Sequence, residues 1–191
     1  MTAPLIIVTG PSGSGKTTVV DQLLKRKKIP LKRLITCTTR PRRPGEPKNR
    51  DRHFITVPQF KNEIKKKRFY EWARVYGHYY GSHKTDIKRT LAGRKPTIVD
   101  LDYQGMRTLK REIPGSLAIF IVTPLNSLKR RLLARKPDPR DYKRRIAQYK
   151  KFMAAKKYAD AVIINADGQL AKTVRETERA IRLFLSQSRK T

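Results

Sequence analysis

VTGPSGSGKTTV, residues 8–19, is the stretch from which the rest of the chain is read. Leu5, Ile6, Ile7 and Val8 lead into it as a continuous aliphatic run. Gly10 and Pro11 end that run, as expected of a short buried strand. Val19, Val20, Leu23 and Leu24 follow at helical spacing. Gly10 to Thr17 fits G-x-x-x-x-G-K-[ST] at every fixed position, between a strand and a helix as that pattern requires. Gly10, Pro11, Ser12, Gly13, Ser14 and Gly15 are therefore expected to form a phosphate cradle, the alternative being a glycine-rich turn that merely connects two elements. Gly13 and Gly15 let backbone N–H groups turn inward, and the helix N-terminus adds partial positive charge. Lys16 is placed to reach the β and γ phosphates, and the Thr17 hydroxyl to ligate Mg²⁺. Thr18 either serves the nucleotide or merely starts the helix. A nucleoside triphosphate site is expected here.

The chain has 191 residues, one domain's worth with room for small subdomains and a proper core. One cysteine, Cys37, excludes an intramolecular disulfide framework and fits a reducing cytosol. No apolar run approaches the ~18 residues of a membrane span, and the first strand begins too early for a signal peptide. A cytoplasmic monomer or dimer is expected. Forty-six Lys and Arg against fifteen Asp and Glu give a formal charge of +31. That excess predicts weak non-specific attraction to polyanions, or a well-solvated set of helix faces. It is spread over the whole chain, with no basic tail, zinc-type Cys/His spacing or internal repeat.

Further along, Leu34 to Thr38 is expected as a second strand. It leads into TTRPRRPGEPKNRDRHF, where Pro41, Pro44, Pro47 and many charges forbid a helix or central strand. A loop of this length inside a compact domain is expected to be functional. His53 to Val57 predicts an edge strand, Pro58 to Lys67 a short helix, and FYEWARVYGHYYGS extended structure packed with aromatics. Trp72 is expected in the core, Tyr79 partly so, and His53, His78 and His83 are expected to be structural or surface residues. A helix from Thr85 to Ala92 follows. PTIVDLD and LAIFIV are buried strands with a helix from Gln104 to Arg111 between them. Leu125 to Arg135 is a basic helix, and after RKPDPRD a second runs from Asp141 to Lys157. AVIIN is the last strand and Leu170 to Leu185 the closing helix. Strands alternating with helices argue an α/β fold with a parallel sheet and right-handed crossovers. Its cradle lies at the carboxyl end of the first strand, where such folds bind ligands. Residues 128–151 hold eleven basic and two acidic residues, a composition suited to a hinged cover over phosphates.

GPSGSGKTT, TTRPRRPGE, EWARVYGHYYGS, IVDLDYQG, RRLLAR and VIIN occur in an order that resembles the guanylate kinase family over nearly the whole chain. The resemblance implies a P-loop NTPase three-layer fold. Residues 1–35, 93–127 and 152–191 would form its core, 36–92 a GMP-binding lobe of mixed α/β character, and 128–151 a short helical lid. It implies transfer of the ATP γ-phosphate to GMP with Mg²⁺. Arg40 and Arg43 would hold the GMP phosphate, since a planar guanidinium makes bidentate contacts that lysine does not. Arg135 and Arg145 would close on the transferring phosphate, with Lys16 and Arg43 completing the catalytic set. Arg131 and Asn165 would lie by the adenine, and Asp100 would orient Mg²⁺ with Thr17. Glu71 with Asp102 would accept the guanine N1 and N2 hydrogens. Thr36 and Ser82 would supply hydroxyl contacts, and Tyr80 would touch the phosphate.

The chain departs from that family's pattern in places. Arg52 stands where a tyrosine usually contacts the GMP phosphate, so it either adds a third cation beside Arg40 and Arg43 or points to solvent. Asn49 replaces a glycine, ARK replaces the lid's GRG, and Lys150 and Lys151 fall where an acid is common. Two other functions remain to be weighed. One is a guanylate-kinase-like scaffold binding phosphopeptides, which would not need Lys16, Thr17 and Asp100. The other is a P-loop kinase of another phosphorylated metabolite, which would not need Glu71 with Asp102. Nucleic-acid binding as the main role rests on charge alone.

Overall fold

A computed structural model describes residues 3–42, 46, 51–135 and 138–187. Its core is a five-stranded parallel sheet in the order β2-β7-β1-β8-β9. The strands are β1 (Leu5–Thr9), β2 (Lys32–Arg33), β7 (Thr97–Asp100), β8 (Leu117–Val122) and β9 (Ala161–Ile164). Side chains alternate across a strand, so β1 feeds two apolar layers. Ile6 and Val8 pack with Val19 and Leu23 of α1 (Lys16–Arg26) and with Val174 and Ile181 of α8 (Leu170–Gln187). Leu5 and Ile7 face Met106 and Leu109 of α4 (Tyr103–Glu112) and Ile87 of α3 (Lys84–Leu91). Helices on both faces of a parallel sheet give the three layers expected from the sequence.

The second sheet has four strands in the order β4-β3-β6-β5: β3 (Thr36–Thr38), β4 (Arg52–Phe54), β5 (Phe69–Val75) and β6 (His78–His83). β5 and β6 form an antiparallel hairpin turned by Tyr76 and Gly77. Strand β4 pairs parallel with β3 at the edge. Between β4 and β5 lies α2 (Val57–Lys65), which Thr56 and Gln59 start with a reciprocal capping box. Phe60 of this helix stacks on Phe69 and Tyr79, giving the lobe its own small core.

Three expectations need correction. The single strand over Leu34 to Thr38 is two strands in different sheets. Leu34 still donates its N–H to Ile98 of the core sheet, whereas Thr36 to Thr38 pair with the second sheet. The chain crosses between sheets at Leu34–Ile35, a change that uniform apolar character hides. The long basic helix from Asp141 starts earlier and breaks. Asp138 caps α6 (Pro139–Ala147), and the chain turns at Gln148 into α7 (Tyr149–Ala154) and a 3₁₀ turn at Ala155–Tyr158. α6 buries nothing, whereas α7 must aim Phe152 into the hairpin beside Tyr76 and Val75. Trp72 is not in the core. It is 47% exposed, because Phe69, Glu71, Ala73 and Val75 take the inner face of β5 and Trp72 alternates outward.

Candidate active site

The carboxyl ends of β1 and β7 and the inner face of the β5–β6 hairpin enclose a cavity of about 630 Å³. At one end lies the cradle. Gly15 caps α1 with φ +89, and a Cβ there would fall 2.4 Å from the Asn165 side-chain amide. Only glycine fits both that backbone and that space. Lys16 bends back to donate to the Gly10 and Pro11 carbonyls at 2.8 and 2.9 Å. Burial outweighs Asp100 and Asp102 and brings its ammonium down to a pKa of about 8. The Thr17 hydroxyl donates to Asp100 Oδ2 at 2.8 Å, so the two residues proposed for the metal meet across 83 positions of sequence.

Asp100 is buried at the end of β7. Burial pushes its carboxyl up, but Arg52, Arg33 and the Thr17 bond outweigh burial and hold it at about 2. It is an anion at any working pH. A hydroxyl and a carboxylate are hard oxygen donors of the kind Mg²⁺ takes alongside nucleotide phosphates and water, so these residues fit that ion.

The opposite end is built from paired strands. Glu71 and Ser82 are cross-strand neighbours in the hairpin, and Ser82 Oγ donates to Glu71 Oε1 at 2.7 Å. Burial, with Asp102 nearby, overrides that bond and lifts the Glu71 carboxyl to about 8. Asp102 caps α4, accepting from the Gln104 and Gly105 N–H groups through Oδ1, and lines the same cavity. Burial raises its carboxyl too, against those two bonds and Lys16. Gly105 has a role the sequence did not reveal. A Cβ there would come within 2.8 Å of Glu71 Oε2, so a side chain at this position would displace the buried carboxylate.

Four arginines also line the cavity. Arg40 grips Glu46 with two bonds, 2.8 and 2.7 Å, and lines the cavity with Tyr80. Arg52 does not point to solvent. Its side chain is 12% exposed, and it donates to Asp100 Oδ2 at 2.6 Å and to Thr36 Oγ1 at 2.8 Å. Arg145 reaches from α6 to the Ser12 hydroxyl and Asp141, and lies 4.7 Å over the Tyr76 ring. Arg135, just beyond α5 (Leu125–Leu133), also lines the cavity and is exposed to solvent.

Not every residue singled out from sequence lines this space. Asn165 and Arg131 lie behind the cradle. Asn165 donates to Ser14 O at 2.7 Å and accepts from Thr173, and Arg131 donates to Asn165 O at 3.0 Å and to Asp167. Both brace the loop. Ser14 is buried, and its hydroxyl has no partner among the described residues. Arg43 lies outside the described residues. Arg33 and Tyr76 also belong to the site, with no mark of it in the sequence. Arg33 sits in the two-residue strand Lys32–Arg33, and nothing local marks it as the partner of Asp100.

A family model described as guanylate kinase matches residues 2–183. The guanylate kinase of Shewanella oneidensis is 38% identical over 165 residues, 85% of this chain and 80% of that protein. That of Dechloromonas aromatica is 36% identical over 184 residues, 95% and 90% of the two chains. The crystal structure of guanylate kinase from Anaplasma phagocytophilum has a TM-score of 0.77 at 21% identity. The match covers 95% of this chain and 86% of that one, a likeness of fold. With its cradle, its buried Glu71–Ser82 pair and its arginines around one cavity, the chain belongs to the guanylate kinase family.

Proposed function

We propose that this cavity transfers the γ-phosphoryl group of ATP to GMP, giving ADP and GDP. The observation that carries the reading is the pairing of two sets of residues in one space. Lys16, Thr17 and Asp100 line it together with Glu71 and Asp102, while Ser82 is buried and donates to Glu71. A phosphopeptide scaffold has no use for the first set, and a kinase of another metabolite has none for the second.

The chemistry follows from charge and position. Phosphoryl transfer needs its partners in line and positive charge around the moving group, with little covalent work from protein. Lys16, released from the Gly10 and Pro11 carbonyls, would serve the ATP phosphates. Arg135 and Arg145 would close from the lid over residues 128–151, and Arg40 and Arg43 would hold the acceptor phosphate in the lobe over 36–92, with Tyr80 beside them. Glu71 and Asp102 would accept the guanine N1 and N2 hydrogens, while Thr36 and Ser82 would offer hydroxyls. Adenine presents the wrong pattern to this end and would leave buried groups unpaired. Mg²⁺, when bound with ATP, supplies charge neutralisation on the phosphates, and Thr17 and Asp100 are the residues that would hold it. Arg131 and Asn165 would set the adenine-side wall of the cradle. Lid closure would keep water from the transferring group. A cytoplasmic setting suits nucleotide substrates and the single reduced cysteine.

Coupled ADP release, with ATP, Mg²⁺ and a panel of GMP, AMP, CMP, UMP and ribose bisphosphate, tests the reading. GMP should exceed AMP by more than about a hundredfold in kcat/KM. Equal turnover of the two would overturn it.

A further inference from the structure

Asp100 carries more positive charge than its own ionisation requires. Arg33 Nη2 donates to its Oδ1 at 2.8 Å, while Arg52 Nη2 and Thr17 Oγ1 share its Oδ2 at 2.6 and 2.8 Å. The two arginines are held differently. Arg33 is fixed in β2 of the core sheet, its side chain 8% exposed, with Asp21 at 2.5 Å and Asp51 at 3.6 Å besides Asp100. Arg52 opens β4 in the other sheet, and besides Asp100 it donates to the neutral Thr36 hydroxyl. Arg52 thus spans from the acceptor lobe to the core. Its contact falls on the oxygen that also meets Thr17, the one available to a divalent ion held beside that hydroxyl.

Arg40 shows the same arrangement on the lobe side, where the Glu46 carboxylate occupies its guanidinium fork. Both arginines on this wall of the cavity are therefore satisfied by internal carboxylates. A phosphate dianion offers the fork more charge and more acceptor atoms than a carboxylate does.

We propose that Arg52 is an exchangeable counter-cation of Asp100, leaving that carboxylate for the phosphate of the acceptor nucleotide, whereas Arg33 stays and keeps Asp100 oriented. Acceptor binding then uncovers Asp100 Oδ2 for the metal-bound donor, and the two substrates bind cooperatively through one guanidinium. The inference rests on the reading of the cavity as a GMP and Mg·ATP site. Linkage makes the effect reciprocal: whatever GMP does to Mg·ATP affinity, Mg·ATP does to GMP affinity.

The test is calorimetric and needs no turnover. Wild type, Arg52→Tyr, Arg52→Gln and Arg52→Lys are titrated with Mg²⁺ and a non-hydrolysable ATP analogue, with and without GMP, then with the analogue in EDTA. GMP should tighten the magnesium complex of the analogue about tenfold in wild type, a usual size of coupling between sites. In the Tyr and Gln variants the tightening should shrink below about twofold, because the free variants already bind the magnesium complex as tightly as GMP-loaded wild type. The Lys variant, which keeps a cation, should retain coupling. In EDTA the Tyr and Gln variants should gain nothing, since there is no metal to uncover Asp100 for. A general structural effect would move both titrations alike. Coupling in Arg52→Gln equal to wild type, or a gain independent of metal, overturns the proposal while GMP binding and turnover stand. Failure of wild type to bind GMP overturns the functional reading instead. Should Arg52→Tyr not fold, the Gln and Lys pair decides the matter.

Discussion

On the proposed reading, Glu71 makes GMP binding a proton-linked event. Its carboxyl is buried against Ser82 and near Asp102, and has a pKa of about 8. At pH 7 it lies one unit below that value, so about nine molecules in ten carry the proton. Guanine presents N–H donors at N1 and N2, and two donors need an acceptor-only partner, so the bound form is the carboxylate. Binding at pH 7 should therefore release about 0.9 proton from Glu71. A phosphate monoester with a second pKa near 6 adds about 0.1 when it binds as the dianion. The ionised fraction rises about fivefold from pH 7 to pH 8, and GMP affinity should rise with it. Calorimetry in two buffers of different ionisation enthalpy measures the proton count directly. Glu71→Gln should lose the Glu71 share of the release and weaken GMP by about 1–3 kcal/mol, since its amide sets a donor against a donor. A wild-type release near 0.1, or equal releases from both proteins, would refute the reasoning. Stability should move the other way. A raised folded pKa means stability fully present below the ordinary carboxyl value and lost as pH climbs toward 8. Glu71→Gln should therefore gain in melting temperature over wild type between pH 5 and pH 8.

Other outcomes follow from single contacts. Lys16→Ala should cut turnover by at least about a hundredfold in the coupled assay, while calorimetric GMP affinity stays within about twofold, because the lysine lies on the cradle end. Gly15→Ala places a methyl 2.4 Å from Asn165 Nδ2 at φ +89, and should cost about 1–3 kcal/mol in denaturant unfolding and abolish binding of ATP analogues. Gly105→Ala crowds Glu71 Oε2 at 2.8 Å, so it should raise KM for GMP more than KM for ATP. Small-angle scattering should show compaction when GMP and a non-hydrolysable ATP analogue are both present, and unchanged dimensions would argue against lid closure.

Local chemistry announced much of this molecule. A glycine-rich stretch between an aliphatic run and a helical repeat makes a strand-to-helix loop suited to phosphate, and the alternation of short strands with helices argues a parallel sheet. The cradle residues Gly10 to Thr17 and the strand ending in Asp100 were legible because each depends on neighbours in sequence. What only the tertiary structure decided depends on distant partners. Leu34 and Thr36 are two residues apart yet belong to different sheets, since hydrogen bonding to Ile98 and Asp51 sorts them, not their own character. Trp72 faces outward because the register of β5 gives the inner face to Glu71. Arg52 could be read from sequence as a phosphate ligand or a solvated charge. The fold makes it neither at rest, because parallel pairing of β4 with β3 sets it beside Thr36 and within 2.6 Å of a carboxylate 48 residues away. Charge type is written in the chain, but which opposite charge it meets is a matter of chain path. That path alone put Arg33, Arg52 and Thr17 on one aspartate.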